Sequence, residues 1–169
     1  MDTFLSTKNK IISIVDDEID ITDLFQDALV GIFGISIVSF NDSVIALEHF
    51  KGNKENYALV LTDLRMPSLN GLELLKKVKK LNPNVRTILI SAYEVENDLT
   101  FQQYMKEGII DSFIEKPVTI SRLCQRVRDE FEVYQLSFIA LKIVNIVTRN
   151  YIPSSQPLIA NKNDRIKLE

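Results

Sequence analysis

The chain has 169 residues, of which 46% are hydrophobic and 25% charged, and its net charge is −3. That length suffices for one domain with a sizeable core plus a modest extension, but it is too short for two domains of usual size. The single cysteine excludes an internal disulfide and a thiolate metal cluster. The small negative charge gives no sign of a nucleic-acid binder. We expect a reduced, cytoplasmic setting, and the N-terminus lacks the pattern of a secretory signal.

Strands and helices alternate along the predicted chain. The strand segments are short, apolar and bounded by polar or turn residues, whereas the segments between them repeat apolar residues at helical spacing. In chain order the predicted elements are strand 11–15, helix 20–33, strand 36–40, helix 42–50, strand 58–62, helix 70–81, strand 86–91, helix 97–108, strand 111–115 and helix 119–134. This alternation predicts an α/β fold with a parallel sheet and helices on both faces.

Chemically useful groups follow four of the five predicted strands. Asp16 and Asp17 come after the first strand, Asp63 after the third, Ser91 ends the fourth, and Lys116 follows the fifth. Open parallel sheets bind ligands beyond the carboxyl ends of their strands, so we expect these side chains to share one crevice.

The three aspartates of this crevice would repel one another strongly unless a cation lay between them. Because all the ligands on offer are oxygen atoms, Mg²⁺ with several retained waters is the ion that fits best. Lys116 adds a positive charge and Ser91 a hydroxyl donor. Such a site attracts a phosphoryl group, which an aspartate can accept as an acyl phosphate.

Four stretches of the chain resemble the signature segments of the response-regulator receiver domain of two-component signalling. They are SIVDDE, LVLTDLRMPSLNG, ILISAY and DSFIEKP, and the resemblance covers about residues 9–134. It implies a flavodoxin-like, doubly wound five-stranded parallel sheet of order 2-1-3-4-5, here followed by a C-terminal helical extension.

The resemblance also implies roles for the acidic residues. Asp63 would be the phosphoacceptor. Asp17 would bind Mg²⁺ directly, Asp16 would act mostly through water, and the backbone carbonyl of Arg65 would supply a further ligand. The expected metal set is therefore Asp16, Asp17, Asp63 and Arg65.

By the same resemblance, Ser91 and Lys116 would contact the bound phosphoryl group. Phe113 would be the switch aromatic that turns inward when Ser91 moves towards the phosphate. The Lys116–Pro117 peptide bond would be cis, which aims the lysine into the crevice. Phosphorylation would then shift the face formed by the fourth helix, the fifth strand and the fifth helix.

The resemblance implies a sensor histidine kinase as phosphodonor and a downstream protein partner, and we do not expect an enzyme. Two alternatives remain at this point. The chain could be a receiver-shaped interaction module that does not use phosphorylation. It could also be a phosphatase of the haloacid-dehalogenase type, although those enzymes place the nucleophilic aspartate after the first strand, and Asp63 follows the third.

The expected organisation is an N-terminal tail (1–8), a receiver domain (9–134), a helical extension (135–150) and a flexible tail (151–169). Net charge changes from −6 over residues 1–134 to +3 over residues 135–169. The apolar extension could be a dimer seam, a flap or an interfacial anchor, and we favour a homodimer or partner docking. We expect no membrane span, since the apolar stretch is short. We expect no direct DNA binding, because about 35 residues hold no usual effector domain.

Overall fold

The computed structural model describes residues 10–31, 35–92 and 98–151, without the side chains of residues 150 and 151. Five strands and five helices alternate along this part of the chain. Their bounds are β1 Ile11–Val15, α1 Ile19–Leu29, β2 Ser36–Phe40, α2 Ser43–Asn53, β3 Tyr57–Asp63, α3 Gly71–Leu81, β4 Arg86–Ser91, α4 Leu99–Lys106, β5 Ser112–Glu115 and α5 Ile120–Tyr151. The predicted tails, 1–8 and nearly all of 151–169, lie outside the described residues.

The strands form one parallel sheet of order β2-β1-β3-β4-β5. The predicted doubly wound fold is therefore confirmed. Every residue of β3 is buried, which explains why that strand is apolar without alternation: both of its faces are covered.

Two hydrophobic clusters lie on opposite faces of the sheet. One packs α2, α3 and α4 against it, with Phe50 and Leu75 among its buried side chains. The other packs α1 and α5 against the second face, with Phe25 and Phe131 among its buried side chains. Helices therefore cover both faces of the sheet, and the carboxyl ends of the strands lie together along one edge of it.

Helix α1 ends at Leu29, earlier than the predicted 33. Gly31 adopts the left-handed backbone conformation, at φ 86°, and this conformation stops a helix without the steric cost of a side chain. Residues 32–34 lie outside the described part of the chain. Helix α2 instead continues to Asn53, three residues beyond the prediction.

Helix α5 runs without a break from Ile120 to Tyr151 over 32 residues, so the predicted extension is the same helix as the last helix of the domain. Leu123, Val127 and Phe131 on its first half are buried in the core. By length and composition alone, α5 has a stretch apolar enough to cross a bilayer, and 11% of that stretch is buried in the structure. This apolar stretch is longer than the one predicted from the sequence, because α5 continues from the domain into the predicted extension without a break. One apolar helix of this kind is weak evidence for a membrane span.

Candidate functional site

The crevice lies at the carboxyl edge of the sheet, where β1, β3, β4 and β5 end side by side. Asp16 directly follows β1 and Asp63 is the last residue of β3, and β1 and β3 are neighbours in the sheet. Both carboxylates are buried, with 2% of Asp16 and 7% of Asp63 exposed. The sheet therefore brings together two acids that are far apart in sequence.

Lys116 joins these two carboxylates. Its Nζ lies 2.8 Å from Oδ1 of Asp63 and 3.7 Å from Oδ2 of Asp16. The Lys116 backbone N–H donates to the carbonyl of Ser91 at 2.8 Å, which fixes the start of the β5–α5 connection against the end of β4. The expected cis peptide bond between Lys116 and Pro117 is present.

The charges of the crevice are strongly coupled. Burial raises the pKa of the Asp16 carboxyl, and the hydrogen bond from Glu18 N–H and the ammonium of Lys116 only partly offset it. Burial of Lys116 works against its ammonium form, but the hydrogen bond to Asp63 and the nearby carboxylates outweigh it, so the pKa of Lys116 is raised. The site therefore holds Lys116 charged while disfavouring charge on Asp16.

Hydrogen bonds hold both acids in place. Oδ1 of Asp16 accepts from Glu18 N–H at 3.0 Å, and the Asp16 carbonyl accepts from the side-chain amide of Asn41 at 2.9 Å. Oδ2 of Asp63 accepts from Arg65 N–H. Asn41 was not among the predicted site residues, although it follows β2 directly, and the end of a strand beside β1 is the signal that could have identified it.

The loop after β3 depends on a glycine. A Cβ on Gly71 would lie 2.2 Å from the backbone oxygen of Asp63, so only glycine allows α3 to start so close to the end of β3. Ser68 in this loop adopts φ 66°, and Asn70 caps α3 by accepting from Glu73 N–H. The MPSLNG segment therefore turns the chain sharply away while leaving Asp63 at the crevice.

Ser91 and Phe113 lie on the β4–β5 side of the crevice. Ser91 is 1% exposed at the end of β4. Phe113 is half-buried, and its ring meets that of Phe101 of α4 edge-on, with the centroids 5.3 Å apart. Phe113 thus links β5 to α4 by direct contact.

The residues of the expected metal set differ in exposure. Asp17 and Arg65 are exposed, and within residues 10–31, 35–92 and 98–151 no group of three or more His, Cys, Asp or Glu is arranged to hold a metal ion. The donors nevertheless fit a hard cation, because Asp16 and Asp63 offer carboxylate oxygens in one crevice. The burial that raises the pKa of Asp16 is a cost that a bound divalent cation would relieve.

Comparison with known proteins yields a family and its structures. A family model described as the response regulator receiver domain matches residues 12–128. The transcriptional regulatory protein ZraR of Klebsiella oxytoca is 33% identical over 112 residues, which are 66% of this chain and 24% of that protein. This chain therefore spans about a quarter of the length of that curated relative.

Two solved structures have the same fold. A response regulator receiver domain protein from Clostridium thermocellum is 27% identical, with a TM-score of 0.66 over 75% of this chain and 98% of that one. A CheY-like receiver domain protein from Methanospirillum hungatei JF-1 is 26% identical, with a TM-score of 0.65 over 76% of this chain and 98% of that one. Both neighbours are covered almost completely, so the similarity extends over the whole domain.

Proposed function

This chain belongs to the response regulator receiver domain family of two-component systems, and from that premise we propose that Asp63 accepts a phosphoryl group from a histidine kinase and that the modified domain changes its binding to a protein partner. The observation that carries the proposal is the buried Asp63 carboxylate with the Lys116 ammonium 2.8 Å from it and Asp16 beside it.

In the proposed reaction, Asp63 supplies one carboxylate oxygen that forms a bond to phosphorus as the bond to the donor histidine nitrogen breaks. The result is an acyl phosphate and a free imidazole. The lysine ammonium pairs with the phosphoryl oxygens, and the Ser91 hydroxyl donates to one of them. Because the acid is buried, few waters compete for these contacts.

We propose that Mg²⁺ is the cofactor of this transfer, held by Asp16, Asp17, Asp63 and the carbonyl of Arg65. When bound, the ion would neutralise charge on the phosphoryl oxygens and the carboxylates. The buried pair Asp16 and Asp63 supports this assignment, and Asp17, which directly follows Asp16, is an exposed member of the set.

The signal leaves the site through Ser91, Phe113 and the contact of Phe113 with Phe101 in α4. A phosphoryl group on Asp63 attracts the Lys116 ammonium. The ion pairs that Lys116 makes with Asp63 and Asp16 in this structure are then broken. We therefore propose that the face of α4, β5 and α5 responds, and that a cytoplasmic protein binds there. The proposal does not include DNA binding. The segment matched in the regulator ZraR is 24% of that protein, so the activity of the whole regulator is not transferred to this chain.

Phosphodonor labelling tests the proposal. With acetyl phosphate and Mg²⁺, the full chain should gain one hydroxylamine-sensitive phosphate, and Asp63→Asn should gain none. Asp23→Asn, an exposed aspartate on α1, is the control and should be labelled like the wild type. Labelling of Asp63→Asn at the wild-type level would refute the proposed acceptor. A folded wild type without any labelling would instead favour an interaction module that does not use phosphorylation, and sustained release of phosphate would favour a phosphatase.

A further inference from the structure

The side chain of Asn41 connects three elements beside the crevice. Asn41 directly follows β2, and its amide nitrogen donates to the backbone carbonyl of Asp16 after β1 and to Oγ1 of Thr22 in α1, both at 2.9 Å. A primary amide carries two N–H donors on one nitrogen, so one short side chain serves both acceptors. Asn41 therefore joins the ends of β1 and β2 to the first turn of α1.

The two partners of this amide are buried, whereas Asn41 itself is exposed. Asp16 is 2% exposed and Thr22 1%. The Thr22 hydroxyl donates to the carbonyl of Ile19 at 2.9 Å, which leaves lone pairs on Oγ1 for the Asn41 amide. Because Asn41 contributes little to the core, its replacement should leave the fold intact and affect mainly the segment that it holds.

The carbonyl that Asn41 holds belongs to the peptide group between Asp16 and Asp17. Other bonds hold the chain on either side of it: Asp16 N–H donates to the Phe40 carbonyl at 3.2 Å, and Oδ1 of Asp16 accepts from Glu18 N–H at 3.0 Å. A peptide group is planar, so fixing its oxygen limits the direction in which the chain continues into Asp17. The Asn41 bond therefore contributes to the placement of both aspartates.

A second hydrogen bond joins β2 to α1 without involving the acids. The Ser39 hydroxyl of β2 donates to Oε1 of Gln26 in α1 at 2.5 Å. Gln26 lies four residues beyond Thr22, about one helical turn farther along α1 from Asp16. The two bonds thus connect the same two elements, but only the bond network of Asn41 includes the segment that carries the aspartates.

We propose that Asn41 is a positioning residue, which holds the Asp16–Asp17 segment in the conformation that binds Mg²⁺. The inference rests on the proposed function, in which these two aspartates are metal ligands. Removal of a side chain that orients metal ligands without touching the ion commonly weakens metal binding about 10- to 100-fold. Because the Asn41 amide is not among the groups assigned to the phosphoryl oxygens, its loss should weaken Mg²⁺ binding and leave the transfer step itself nearly unchanged.

Titration of the full chain with Mg²⁺ alone, without a phosphodonor, tests the proposal. Two-dimensional amide spectra give the dissociation constant of Mg²⁺ from the shifts of the Asp17 and Glu18 signals. We expect Asn41→Ala to raise this constant about 10-fold or more. Ser39→Ala is the matched control, since it removes the other β2–α1 bond, and it should bind Mg²⁺ like the wild type. Urea unfolding checks that both variants fold.

Labelling by acetyl phosphate separates this role from that of the acceptor. We expect Asn41→Ala to need about 10-fold more Mg²⁺ than the wild type for half-maximal labelling, and to reach nearly the wild-type rate at saturating Mg²⁺. A side chain needed only for general stability would not divide its effect in this way.

The two proposals fail in different ways. Wild-type Mg²⁺ affinity in Asn41→Ala would overturn the positioning role and leave the acceptor intact, and equal losses of affinity in Asn41→Ala and Ser39→Ala would do the same. Weaker Mg²⁺ binding by Asn41→Ala, in chains that acetyl phosphate never labels, would support the positioning role and refute the acceptor. A wild type that binds no Mg²⁺ would overturn the positioning role.

Discussion

Burial of the Asp16 carboxyl has a cost in stability. Asp16 is 2% exposed, and burial raises its pKa. Above that folded-state pKa, the charged carboxylate destabilises the fold. As pH falls through it, the folded domain takes up a proton before the unfolded chain does, so stability rises. The site residue therefore opposes folding at neutral pH.

We predict that Asp16→Asn stabilises the domain at pH 7 by about 0.5–2 kcal/mol, because the amide keeps the acceptor for Glu18 N–H and removes the buried charge. Urea unfolding measures the change, and the advantage should shrink as pH is lowered. Asp17→Asn, at the exposed neighbouring aspartate, should change stability little. A less stable Asp16→Asn at pH 7 would contradict this reading.

The proposed role of Lys116 concerns the response to phosphorylation rather than the stability of the fold. We predict that Lys116→Ala still folds but that a phosphoryl mimic, beryllofluoride, no longer shifts the amide signals of Phe113 and Phe101. The reason is that the only ammonium within 4 Å of Asp63 in the described part of the chain is lost. Two-dimensional amide spectra with and without the mimic measure the effect. Lys106→Ala, at the end of α4, is the control, and wild-type shifts in Lys116→Ala would refute the role.

At the scale of elements, the start of α3 depends on the absence of one side chain. We predict that Gly71→Ala destabilises the domain by about 2 kcal/mol or more, because its Cβ would clash with the Asp63 carbonyl at 2.2 Å. Gly52→Ala is the matched control: nothing lies within 4 Å of its Cβ inside α2, and it should stabilise by about 0.5–1 kcal/mol. Equal effects of both changes, measured by urea unfolding, would contradict the close-approach argument.

The element pattern could be predicted from the sequence because each element carries a local signal. Strand β3 is apolar without alternation, and the Asn70 cap and the Leu81–Asn82 end of α3 mark that helix from residue types alone. Helix ends were less predictable. The stop of α1 depends on the left-handed conformation of Gly31, whereas Gly34, three residues later, looks equally suitable in the sequence.

The strand ends of the candidate site were predictable for a similar reason: the order of a parallel sheet decides which ends are neighbours. Asp16, Asp63 and Lys116 therefore come together as expected. The position of Asn41 directly after β2 could have marked it as a site residue, but the bond from its side-chain amide to the Asp16 carbonyl depends on loop geometry that no residue pattern encodes. The exposed position of Asp17 is a further detail of side-chain placement that a sequence cannot fix.

At the scale of the whole molecule, a largely buried ionic network lies at the edge of the sheet opposite the crevice. Asp111 pairs with Lys79 of α3 at 2.6 Å and with Arg86 of β4 at 2.9 Å, and Arg86 pairs with Glu130 of α5 at 2.6 Å. Asp111 also accepts from the Thr87 N–H at 2.9 Å. The network ties helices of both layers to the sheet.

We predict that Asp111→Ala destabilises the domain by about 3–5 kcal/mol, because it leaves the half-buried Lys79 and Arg86 without their shared partner. Glu48→Ala removes the exposed pair with Lys51 and should cost about 0.5 kcal/mol or less. Guanidinium unfolding of both variants separates the two cases. A small cost for Asp111→Ala would mean that the network contributes little to stability.

The proposed function depends most on Asp63 carrying the phosphoryl group. Its most direct test is borohydride reduction of the full chain after treatment with acetyl phosphate and Mg²⁺, followed by peptide mass spectrometry, because reduction converts an aspartyl phosphate to homoserine. We expect homoserine at position 63 and at no other aspartate. Reduction at another residue, or none at all in a chain that remains folded, would contradict the account.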